Sequence, residues 1–539
     1  MKKYFSIVIL LTGMIFASCN SYLEVTPPNS ITNEQIMELL NSGDDAKIDL
    51  VLGGLARGLP STFQLSAIHG TGIADPRHYT VQGLDCMRNL EGNDVVLGAK
   101  ELGTLFGNDE YKLNDFTGTD NGKNVAYWNA YWANINTANK LLNYLIPEIV
   151  GDNPRMLYYR AVALTVHAWF YNYLMENYQD AYTQGGNAKL GMMWYDCWDP
   201  TKPPQARLSA QETYAKIAGE IAEAVRAFSE LPENERYTAS TTDIDLGVAA
   251  FVQARVALCM GEWATVISAC DKVLAVNNKL MNENQYVNHP VDGEYGANNG
   301  FMDNTLNPEV LIGWSQALST KGGYMIYRNI FGGGQGGYDE GFYRIDKRLY
   351  NQINEDDYRK DNFLGEGVTI DGYLFPPAAN GRIRDIPDYS NLKFSCMFGI
   401  GSSDIATWSN VCDYYMRVSE VYLMKAEAQL KSGNEAGAKA TLNTLLAART
   451  RAGATPLTCD NYAVTGKTYT TEQMIQLQTR IEMWGERGLE FYNNKRWNIR
   501  VDRAGDETNH TAKATYEVSR MTLAIPKTET DYNPLCVQN

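Results

Sequence analysis

Histidine and the motifs of catalysis are scarce in this sequence. The chain has 5 histidines in 539 residues, and it contains neither an H-E-x-x-H zinc motif nor a G-x-S-x-G nucleophile elbow. The glycine-rich run at 332–337 lacks the Lys-Ser/Thr pair that completes a phosphate-binding loop. His167 lies among apolar residues of a predicted helix, which favours a structural core histidine over a base. The sequence therefore predicts a protein that is not an enzyme, with no cofactor and no metal site.

Paired carboxylates are the one feature that would suit a hydrolase. Glycoside hydrolysis needs only two Asp or Glu side chains at a set separation, and Asp356-Asp357 and Glu486/Glu490 are candidates. Neighbouring carboxylates are common on solvated faces, and nothing else in the sequence marks these two pairs. An exported glycoside hydrolase is thus an alternative to the non-enzymatic interpretation.

Basic residues are fewer than acidic ones, and the cysteines are not arranged in closely spaced pairs. The formal net charge is −16, which argues against nucleic acid as a partner and against polybasic binding to a membrane surface. None of the 9 cysteines forms a C-x-x-C pair, so zinc and thioredoxin-type sites lack their spacing. Cys259 and Cys270 fall in helical segments and are predicted to be buried free thiols.

The start of the chain has the pattern of an export signal. Lys2 and Lys3 precede the apolar run Phe5–Phe16, which is too short for a bilayer span of about 20 residues. Small residues, Ala17 and Ser18, then lead into a cysteine. A basic start, an apolar run and a small-residue cleavage zone are typical of a secretory signal.

The cysteine at this position makes the signal more specific. Phe16-Ala17-Ser18-Cys19 fits the lipobox of bacterial lipoproteins, in which the thiol takes a diacylglycerol and becomes the new N-terminus. Acyl chains hold a protein at a membrane through the burial of their CH2 groups. The sequence predicts a signal peptide at 1–18, a lipid anchor at Cys19, a polar tether at 19–30 and a single folded domain at 31–539.

Helical periodicity dominates that domain. Ser209 and Glu212 form a capping box, and glycines at 261 and 433 mark the turns of two helical hairpins with a weak internal echo, typical of tetratricopeptide-type pairs. Arg417 and Glu420, one turn apart, are expected to pair. The predicted helices are Tyr127–Leu145, Arg155–Tyr178, Ser209–Leu231, Leu246–Met260, Glu262–Val276, Tyr414–Lys431 and Glu435–Arg449.

Two long stretches differ from the helical segments in composition and periodicity. Residues 53–122 and 277–410 are rich in Gly, Asn, Asp, Pro and Tyr, with little helical period. Irregular segments on a rigid frame are where binding surfaces usually lie. We therefore expect a mostly α fold, with tetratricopeptide-like hairpins at 124–276 and 411–500 in a right-handed superhelical scaffold that carries these two stretches as ligand-facing loops.

Several short motifs, in order along the chain, make it similar to a known family. They are Tyr127-Trp128-Asn129-Ala130-Tyr131-Trp132 with Ile135-Asn136-Thr137-Ala138-Asn139, Tyr159-Arg160-Ala161 through Tyr171-Asn172-Tyr173-Leu174, Tyr415–Leu423 with Ala426-Glu427-Ala428, Thr450-Arg451-Ala452-Gly453, Glu486-Arg487-Gly488-Leu489-Glu490-Phe491 with Lys495-Arg496-Trp497, and Ala524-Ile525-Pro526 with Asn533-Pro534. In this order, and with Cys19, the chain resembles the SusD/RagB family of outer-membrane nutrient-binding lipoproteins over nearly its full length. It departs from the family pattern at Trp484-Gly485 and at Tyr492-Asn493-Asn494.

The resemblance implies a binding role without catalysis. Members of the family cap a SusC-like TonB-dependent transporter of the outer membrane and capture an oligosaccharide or, in some branches, a peptide. It implies a lipid-anchored protein at the outer membrane that faces the cell exterior, a glycan or peptide ligand, and no nucleic acid. A purely structural helical-repeat adaptor is the second alternative.

A glycan site needs aromatic faces for sugar rings and a few polar side chains for hydroxyl groups. We expect these side chains to lie on the two irregular stretches. For each of them, a structural role fits the sequence about as well as a ligand-binding role. The predicted ligand-binding residues are Asp75, Arg77, Tyr79 and Arg88 in the first stretch, and Tyr295, Tyr324, Tyr327 and Tyr338 in the second.

Overall fold

The computed structural model describes twelve ranges of the chain. They are residues 31–57, 59–60, 84, 88–97, 111–114, 117–238, 240–288, 298–301, 303–316, 343–368, 388–394 and 411–539. None of the helices in these ranges has the length and apolar content needed to cross a bilayer.

Helices make up most of the described residues. The α-helices are α1 (Asn33–Leu40), α2 (Asp45–Ala56), α3 (Gly122–Leu142), α4 (Pro147–Val150), α5 (Pro154–Tyr178), α6 (Ala210–Glu230), α7 (Glu233–Arg236), α8 (Leu246–Met260), α9 (Trp263–Val276), α10 (Glu283–Tyr286), α11 (Lys347–Tyr350), α12 (Val418–Lys431), α13 (Glu435–Ala448), α14 (Thr471–Glu482), α15 (Leu489–Trp497) and α16 (Lys527–Tyr532). Short 3-10 helices lie at Tyr182–Gln184, Gly186–Ala188, Tyr358–Asn362 and Val518–Arg520.

The strands are short and form antiparallel pairs. They are β1 (Val95–Val96), β2 (Val310–Gln316), β3 (Arg344–Ile345), β4 (Val411–Arg417), β5 (Val501–Asp502) and β6 (Thr515–Tyr516). The pairs are β1 with β3, β2 with β4 and β5 with β6. The mostly α fold predicted from the sequence is confirmed.

The long helices pack in a continuous stack. Following the packing, α3 lies against α5, α5 against α6, α6 against α8, α8 against α9, α9 against α12, and α12 against α13. Two of these neighbouring pairs, α8–α9 and α12–α13, are joined by turns of two and three residues. Successive helices bury one apolar face after another, which is how helical hairpins build a common core. The handedness of this stack, and its likeness to tetratricopeptide repeats, stay predictions.

Local signals account for where these helices begin and end. The Ser209 hydroxyl accepts a hydrogen bond from the Glu212 amide at 3.1 Å, and the Glu212 carboxylate accepts one from the Ser209 amide at 3.0 Å. This is the predicted capping box at the start of α6. Gly261 ends α8 with φ +77° and Gly433 follows α12 with φ +82°, a left-handed conformation that glycine adopts without strain. Both hairpin turns are confirmed.

Two predicted helix starts were wrong: α3 begins at Gly122, five residues before the predicted Tyr127, and the predicted start of α12 lies in a strand. The helix predicted from Tyr414 begins at Val418, and the preceding residues form β4, where Tyr414 and Tyr415 are strand residues. Strand β4 pairs with β2, a segment about 100 residues earlier in the chain (Gly313 opposite Tyr414). Aromatic residues suit strands as well as helices, and only the distant partner strand decides between the two.

Buried polar and sulfur-containing side chains lie within the stack. His167 is fully buried, with Nδ1 2.6 Å from a Glu220 carboxylate oxygen and Nε2 3.1 Å from the Tyr195 carbonyl oxygen, so the structural interpretation of this histidine is confirmed. Cys259 and Cys270 are buried free thiols, as predicted, and burial raises the pKa of Cys259 to about 12.

Candidate functional site

The two irregular stretches meet at a small sheet. Strand β1 belongs to the first stretch and β3 to the second, and their register places Val95 opposite Ile345 and Val96 opposite Arg344. The Asp346 amide also donates to the Asp94 carbonyl at 2.9 Å. Segments about 250 residues apart in the sequence, one from each irregular stretch, are therefore joined in one small sheet.

A third and a fourth segment extend this sheet. The Ile345 amide donates to the Tyr389 carbonyl at 3.0 Å, and the Asn391 amide donates to the Tyr343 carbonyl at 3.0 Å. The Leu392 amide in turn donates to the Asn362 carbonyl at 2.8 Å. We call the joined segments, residues 88–97, 343–346, 362–364 and 388–394, the loop base.

The first segment of the loop base is held from both sides by the C-terminal part of the chain. On one side, the Arg503 guanidinium donates to the carbonyl oxygens of Leu90 (2.6 Å) and Gly92 (2.9 Å). On the other side, the Glu490 carboxylate accepts hydrogen bonds from the amides of Asn93 (2.5 Å) and Asp94 (3.0 Å). Backbone groups without strand partners are satisfied in this way.

Close packing at this contact excludes a side chain at one position. A Cβ atom added to Gly92 would lie 2.1 Å from the Glu490 Oε2 atom, closer than any non-bonded contact allows. Arg480 adds an ion pair to Asp94, with Nε 2.9 Å from Oδ2, and the Trp484 indole donates to the Asp94 carbonyl at 2.9 Å. The loop base thus sits directly on α14 and α15.

A second group of charges lies beneath the other segments. It consists of Glu309, Asp357, Arg359, Lys393, Arg417, Arg449, Glu482 and Glu486, all buried, and we call it the charged core. Formal charges balance within it, with four cations and four carboxylates, which is how buried ions avoid most of their desolvation cost.

Arg417 is at the centre of the charged core. Its guanidinium contacts Glu486 (2.8 Å), Glu309 (2.7 Å) and Glu482 (2.6 Å). The predicted pair of Arg417 with Glu420 is therefore wrong, and Glu420 instead pairs with Arg487. Arg417 ends β4 and does not share a helix face with Glu420, so the spacing of three residues does not bring the two side chains together.

The charged core also connects the second irregular stretch to the C-terminal helices. Lys393, in the loop base, donates to Glu486 at 2.6 Å and to the Trp484 carbonyl at 3.0 Å. Arg359 lies 3.0 Å from Glu482 and 2.5 Å from Asp357. Burial favours the neutral form of Glu486, but Arg417 and Lys393 outweigh it and lower the pKa of this carboxyl to about 2. Burial lowers the pKa of Lys393 to about 8.

These contacts show the surroundings of the carboxylates that the sequence offers as a catalytic pair. Asp357 and Glu486 are buried in ion pairs and are not on solvated faces as expected. Glu490 is partly buried and accepts backbone hydrogen bonds, and Asp356 is exposed. Three of the four carboxylates are thus occupied in holding the fold, which leaves neither pair free as an acid and a nucleophile.

Most of the predicted ligand-binding residues lie outside the described residues. These are Asp75, Arg77, Tyr79, Tyr295, Tyr324, Tyr327 and Tyr338, together with the predicted lipid anchor Cys19. Their assignments stay predictions.

Arg88 is described, and it lies in the core. Its side chain has no exposed surface. The guanidinium contacts Glu91 at 2.5 Å, donates to the Asn177 Oδ1 atom, and lies 4.3 Å from the centre of the Phe491 ring. A ligand on the protein surface would not reach it. We therefore assign Arg88 to the support of the loop base and do not carry it into the proposed ligand site.

Crevices lined by described residues are narrow. One lies among α5, α8 and α15, beside Arg255 and Tyr492, and another lies beside Glu490 and Trp484. Each leaves room between its walls for roughly one water-sized molecule, too little for a sugar ring. Within the described ranges, no group of three or more His, Cys, Asp or Glu side chains is placed to hold a metal ion.

Sequence reasoning missed the residues that organise the loop base. Glu490, Arg480, Arg503 and Lys393 contact partners that are up to 413 residues away in the chain. In the sequence, Glu490 is marked only as one of a pair of carboxylates and as part of a family motif. The single available signal was that the motif places many charges in a segment that also carries large apolar residues, Leu489 and Phe491.

Comparison with known proteins agrees with this architecture. Residues 383–539 match the model of the SusD family. The comparison with curated proteins finds no match.

Solved structures with the same fold cover nearly the whole chain. A SusD-like carbohydrate binding protein from Bacteroides vulgatus is 20% identical, with a TM-score of 0.66 over 92% of this chain and 97% of that one. A SusD superfamily protein from Bacteroides thetaiotaomicron is 20% identical, with a TM-score of 0.65 over 92% and 99%. One from Parabacteroides distasonis is 15% identical, with a TM-score of 0.64 over 92% and 99%. With the SusD family model on its C-terminal part and this fold throughout, the resemblance of the chain to the SusD/RagB family is confirmed.

Proposed function

We propose that this protein binds an oligosaccharide or polysaccharide nutrient at the cell surface and delivers it to a SusC-like TonB-dependent transporter of the outer membrane, without chemical conversion. The observation that carries the proposal is the loop base. It joins segments from the two irregular stretches, 53–122 and 277–410, and packs them on helices of the C-terminal part of the chain. Side chains from both stretches can then contribute to one ligand site.

Composition and family support a glycan as the ligand. The chain has 34 Tyr and 10 Trp residues, and such rings offer flat apolar faces together with polar edges. A similar solved structure is described as a SusD-like carbohydrate binding protein. The predicted contacts are Asp75, Arg77 and Tyr79 from the first stretch, and Tyr295, Tyr324, Tyr327 and Tyr338 from the second.

Electrophoresis in gels that contain one polysaccharide each tests the ligand class. Soluble α-glucan, β-glucan, fructan, mannan and xylan make a suitable panel, and at least one should retard the wild-type protein. Combined replacement of Tyr324, Tyr327 and Tyr338 by Ala should abolish that retardation and leave the thermal unfolding temperature unchanged. Tyr532→Ala is the matched control, because this tyrosine is 84% exposed on α16. Retardation that survives the triple replacement would refute the placement of the site.

The same purified protein separates binding from hydrolysis. A glycoside hydrolase would release reducing sugar from the polysaccharide that retards it, and we expect none. Occupation of Glu486, Glu490 and Asp357 by structural contacts supports this expectation. A peptide ligand, as in some branches of the family, would show as binding to a peptide mixture with no polysaccharide retained.

The anchor and the transporter are separate parts of the proposal. Mass spectrometry of the mature protein should find a diacylglycerol-modified N-terminal cysteine at Cys19, and Cys19→Ala should release the protein from membranes. Affinity purification from membranes should recover a large TonB-dependent barrel. Recovery of the barrel without any glycan or peptide affinity would favour the structural adaptor instead.

A further inference from the structure

Exposed apolar side chains are concentrated in two segments of the chain, residues 189–207 and 527–539. Within the described ranges, ten large hydrophobic side chains are exposed, and half of them belong to these two segments. They are Leu190, Trp198, Tyr532, Leu535 and Val537. Single exposed hydrophobic residues are ordinary, but a group of them on a small part of the chain indicates a contact surface.

The two segments lie side by side. The Asn533 side chain donates to the Gln205 carbonyl oxygen at 2.9 Å. Further along, the Arg207 guanidinium donates to the carbonyl oxygens of Val537 at 2.9 Å and of Leu190 at 3.1 Å. The two segments therefore form one surface, which we call the apolar face.

Trp198 is held in a fixed position at one end of the apolar face. The Asn143 side chain accepts a hydrogen bond from the Trp198 amide at 3.1 Å and donates to the Trp198 carbonyl oxygen at 2.8 Å. The indole remains 43% exposed, and the Lys140 ammonium group lies 5.0 Å from the centre of its ring. Because its backbone is already fixed, the indole loses little conformational entropy when a partner covers it.

The folded body of the protein begins beside this end of the apolar face. Tyr144 follows Asn143 directly, and its hydroxyl donates to the Asn33 Oδ1 atom at 2.5 Å. Asn33 is the first residue of α1, so the predicted tether, residues 19–30, ends close by. A fully extended tether of this length reaches at most about 40 Å. An acylated cysteine at its start therefore keeps the apolar face close to the bilayer.

Charge does not oppose contact between the apolar face and a bilayer. The chain as a whole has a formal net charge of −16, but the charges of the apolar face balance. Its charged residues are the basic Lys189, Lys202, Arg207 and Lys527 and the acidic Asp196, Asp199, Glu529 and Asp531. Rings of Trp and Tyr suit the headgroup level of a membrane, where a flat apolar body and a polar edge are both accommodated. Such contact differs from the polybasic mode that the net charge argues against.

We propose that the apolar face is a membrane-docking surface, which rests on the bilayer with Trp198, Leu535 and Val537 inserted at the level of the lipid headgroups. The inference rests on the lipid anchor of the proposed function only for bringing the face to the membrane. Contact with lipid is a property of the face itself. It orients the anchored protein, which a polar tether alone does not do, and the acyl chains remain necessary for stable attachment.

Sedimentation with sucrose-loaded phosphatidylcholine vesicles tests this contact without the acyl chains. The protein is the mature chain from Asn20 onwards, which lacks the signal and the anchor cysteine, and it should bind at high lipid concentration. Combined replacement of Trp198 by Ala and of Leu535 and Val537 by Ser should lower its partition coefficient by at least about tenfold, because most of the apolar area available for insertion is lost.

The matched control replaces the three exposed hydrophobic residues that lie farthest from both segments in the sequence, Leu50, Val276 and Val368, by Ser. This variant should partition as the wild type does, and thermal unfolding checks that both variants are folded. If the first variant does not fold, vesicles of dibrominated phosphatidylcholine provide a second measurement. Bromine should quench the tryptophan fluorescence of the wild type more than that of Trp198→Phe.

Three results would overturn the proposal: no sedimentation of the wild type at any lipid concentration, equal partition of the wild type and the triple variant, or equal quenching of the wild type and Trp198→Phe. Loss of the transporter barrel from affinity purifications of the triple variant, with unchanged vesicle binding, would contradict it by assigning the face to a protein partner. Absence of an acyl group at Cys19 would refute the predicted anchor and leave the vesicle outcomes untouched.

Discussion

Helix α8 of the hairpin α8–α9 and the charged core beneath the loop base are both buried, but different interactions hold them together. In α8 nearly every residue is apolar, and the one charged side chain, Arg255, pairs with Glu176 of α5 at 2.7 Å. The charged core instead buries four cations with four carboxylates. The hairpin depends on burial of apolar area, whereas the charged core depends on each ion keeping its partners.

Partners in the two regions also differ in their distance along the chain. Helices α8 and α9 are neighbours in sequence and in space. Arg417 and Glu309 are 108 residues apart, and Glu490 and Asn93 are 397 residues apart. Apolar burial tolerates many partners of similar size, but a buried ion without its partner costs far more than the pair contributes. We therefore expect the charged core to be more sensitive to single substitutions than the hairpin.

The largest effect should come from breaking the charged core at its centre. Arg417→Ala leaves Glu309, Glu482 and Glu486 without a shared cation, and we expect the free energy of unfolding to fall by about 3–5 kcal/mol. Urea denaturation followed by circular dichroism measures it. Arg226→Ala, which removes a guanidinium that is 70% exposed and 3.8 Å from Glu230, should cost less than about 1 kcal/mol. Similar losses in the two variants would show that the charged core is no more sensitive than the surface.

Low pH should destabilise the charged core more than the helical hairpin. The expected loss of unfolding free energy is somewhat smaller than that caused by Arg417→Ala. The pKa of Glu486 is lowered from 4.5 to about 2 in the folded protein, so its contribution to stability is present above pH 4.5 and is lost as the pH falls through 2. That contribution is about 3 kcal/mol. Urea denaturation at a series of pH values should show a steeper loss for the wild type than for Glu486→Gln.

Exchange measurements can place this acid effect within the molecule. Amides of the loop base should lose protection at a higher pH than those of α8 and α9, because those helices bury few ionisable groups. Simultaneous loss of protection in both regions would argue that they unfold as one unit and that the contrast between them is not energetic.

Removal of a helix cap in the scaffold should have the smallest effect on the free energy of unfolding. Ser209→Ala removes the side-chain acceptor at the start of α6 and should lower the free energy of unfolding by about 1 kcal/mol. Ser229→Ala is the matched control in the same helix, because its hydroxyl only donates to the Val225 carbonyl within the helix, a contact with little net value. Equal effects of the two substitutions would indicate that the cap is not what positions α6.

Predictions from the sequence were accurate for local features of the helical scaffold and less accurate for contacts between distant residues. Helix α8 was predicted with the bounds that the structure shows, and the capping box of α6 and the turns at Gly261 and Gly433 were confirmed. These features depend on residues within about one helical turn of each other. The error at β4 arose where a strand depends on a partner about 100 residues away.

The candidate site was the harder part to predict. Arg88 was assigned to the ligand and proved to be a buried support of the loop base. Glu486 was taken for a solvated carboxylate, although it pairs with Arg417 and Lys393. Single-sequence patterns show that a residue is charged, but they do not show whether a distant partner neutralises it.

The sequence by itself determined that the chain is mostly helical, where its main hairpins turn, and which family it resembles, because periodicity, caps and short motifs are local properties. Only the tertiary structure decided which charges are buried together and that the two irregular stretches share one base. The reason is physical: ion pairs and strand pairs form between groups that are close in space, and residues 93 and 490 carry no local mark of that closeness.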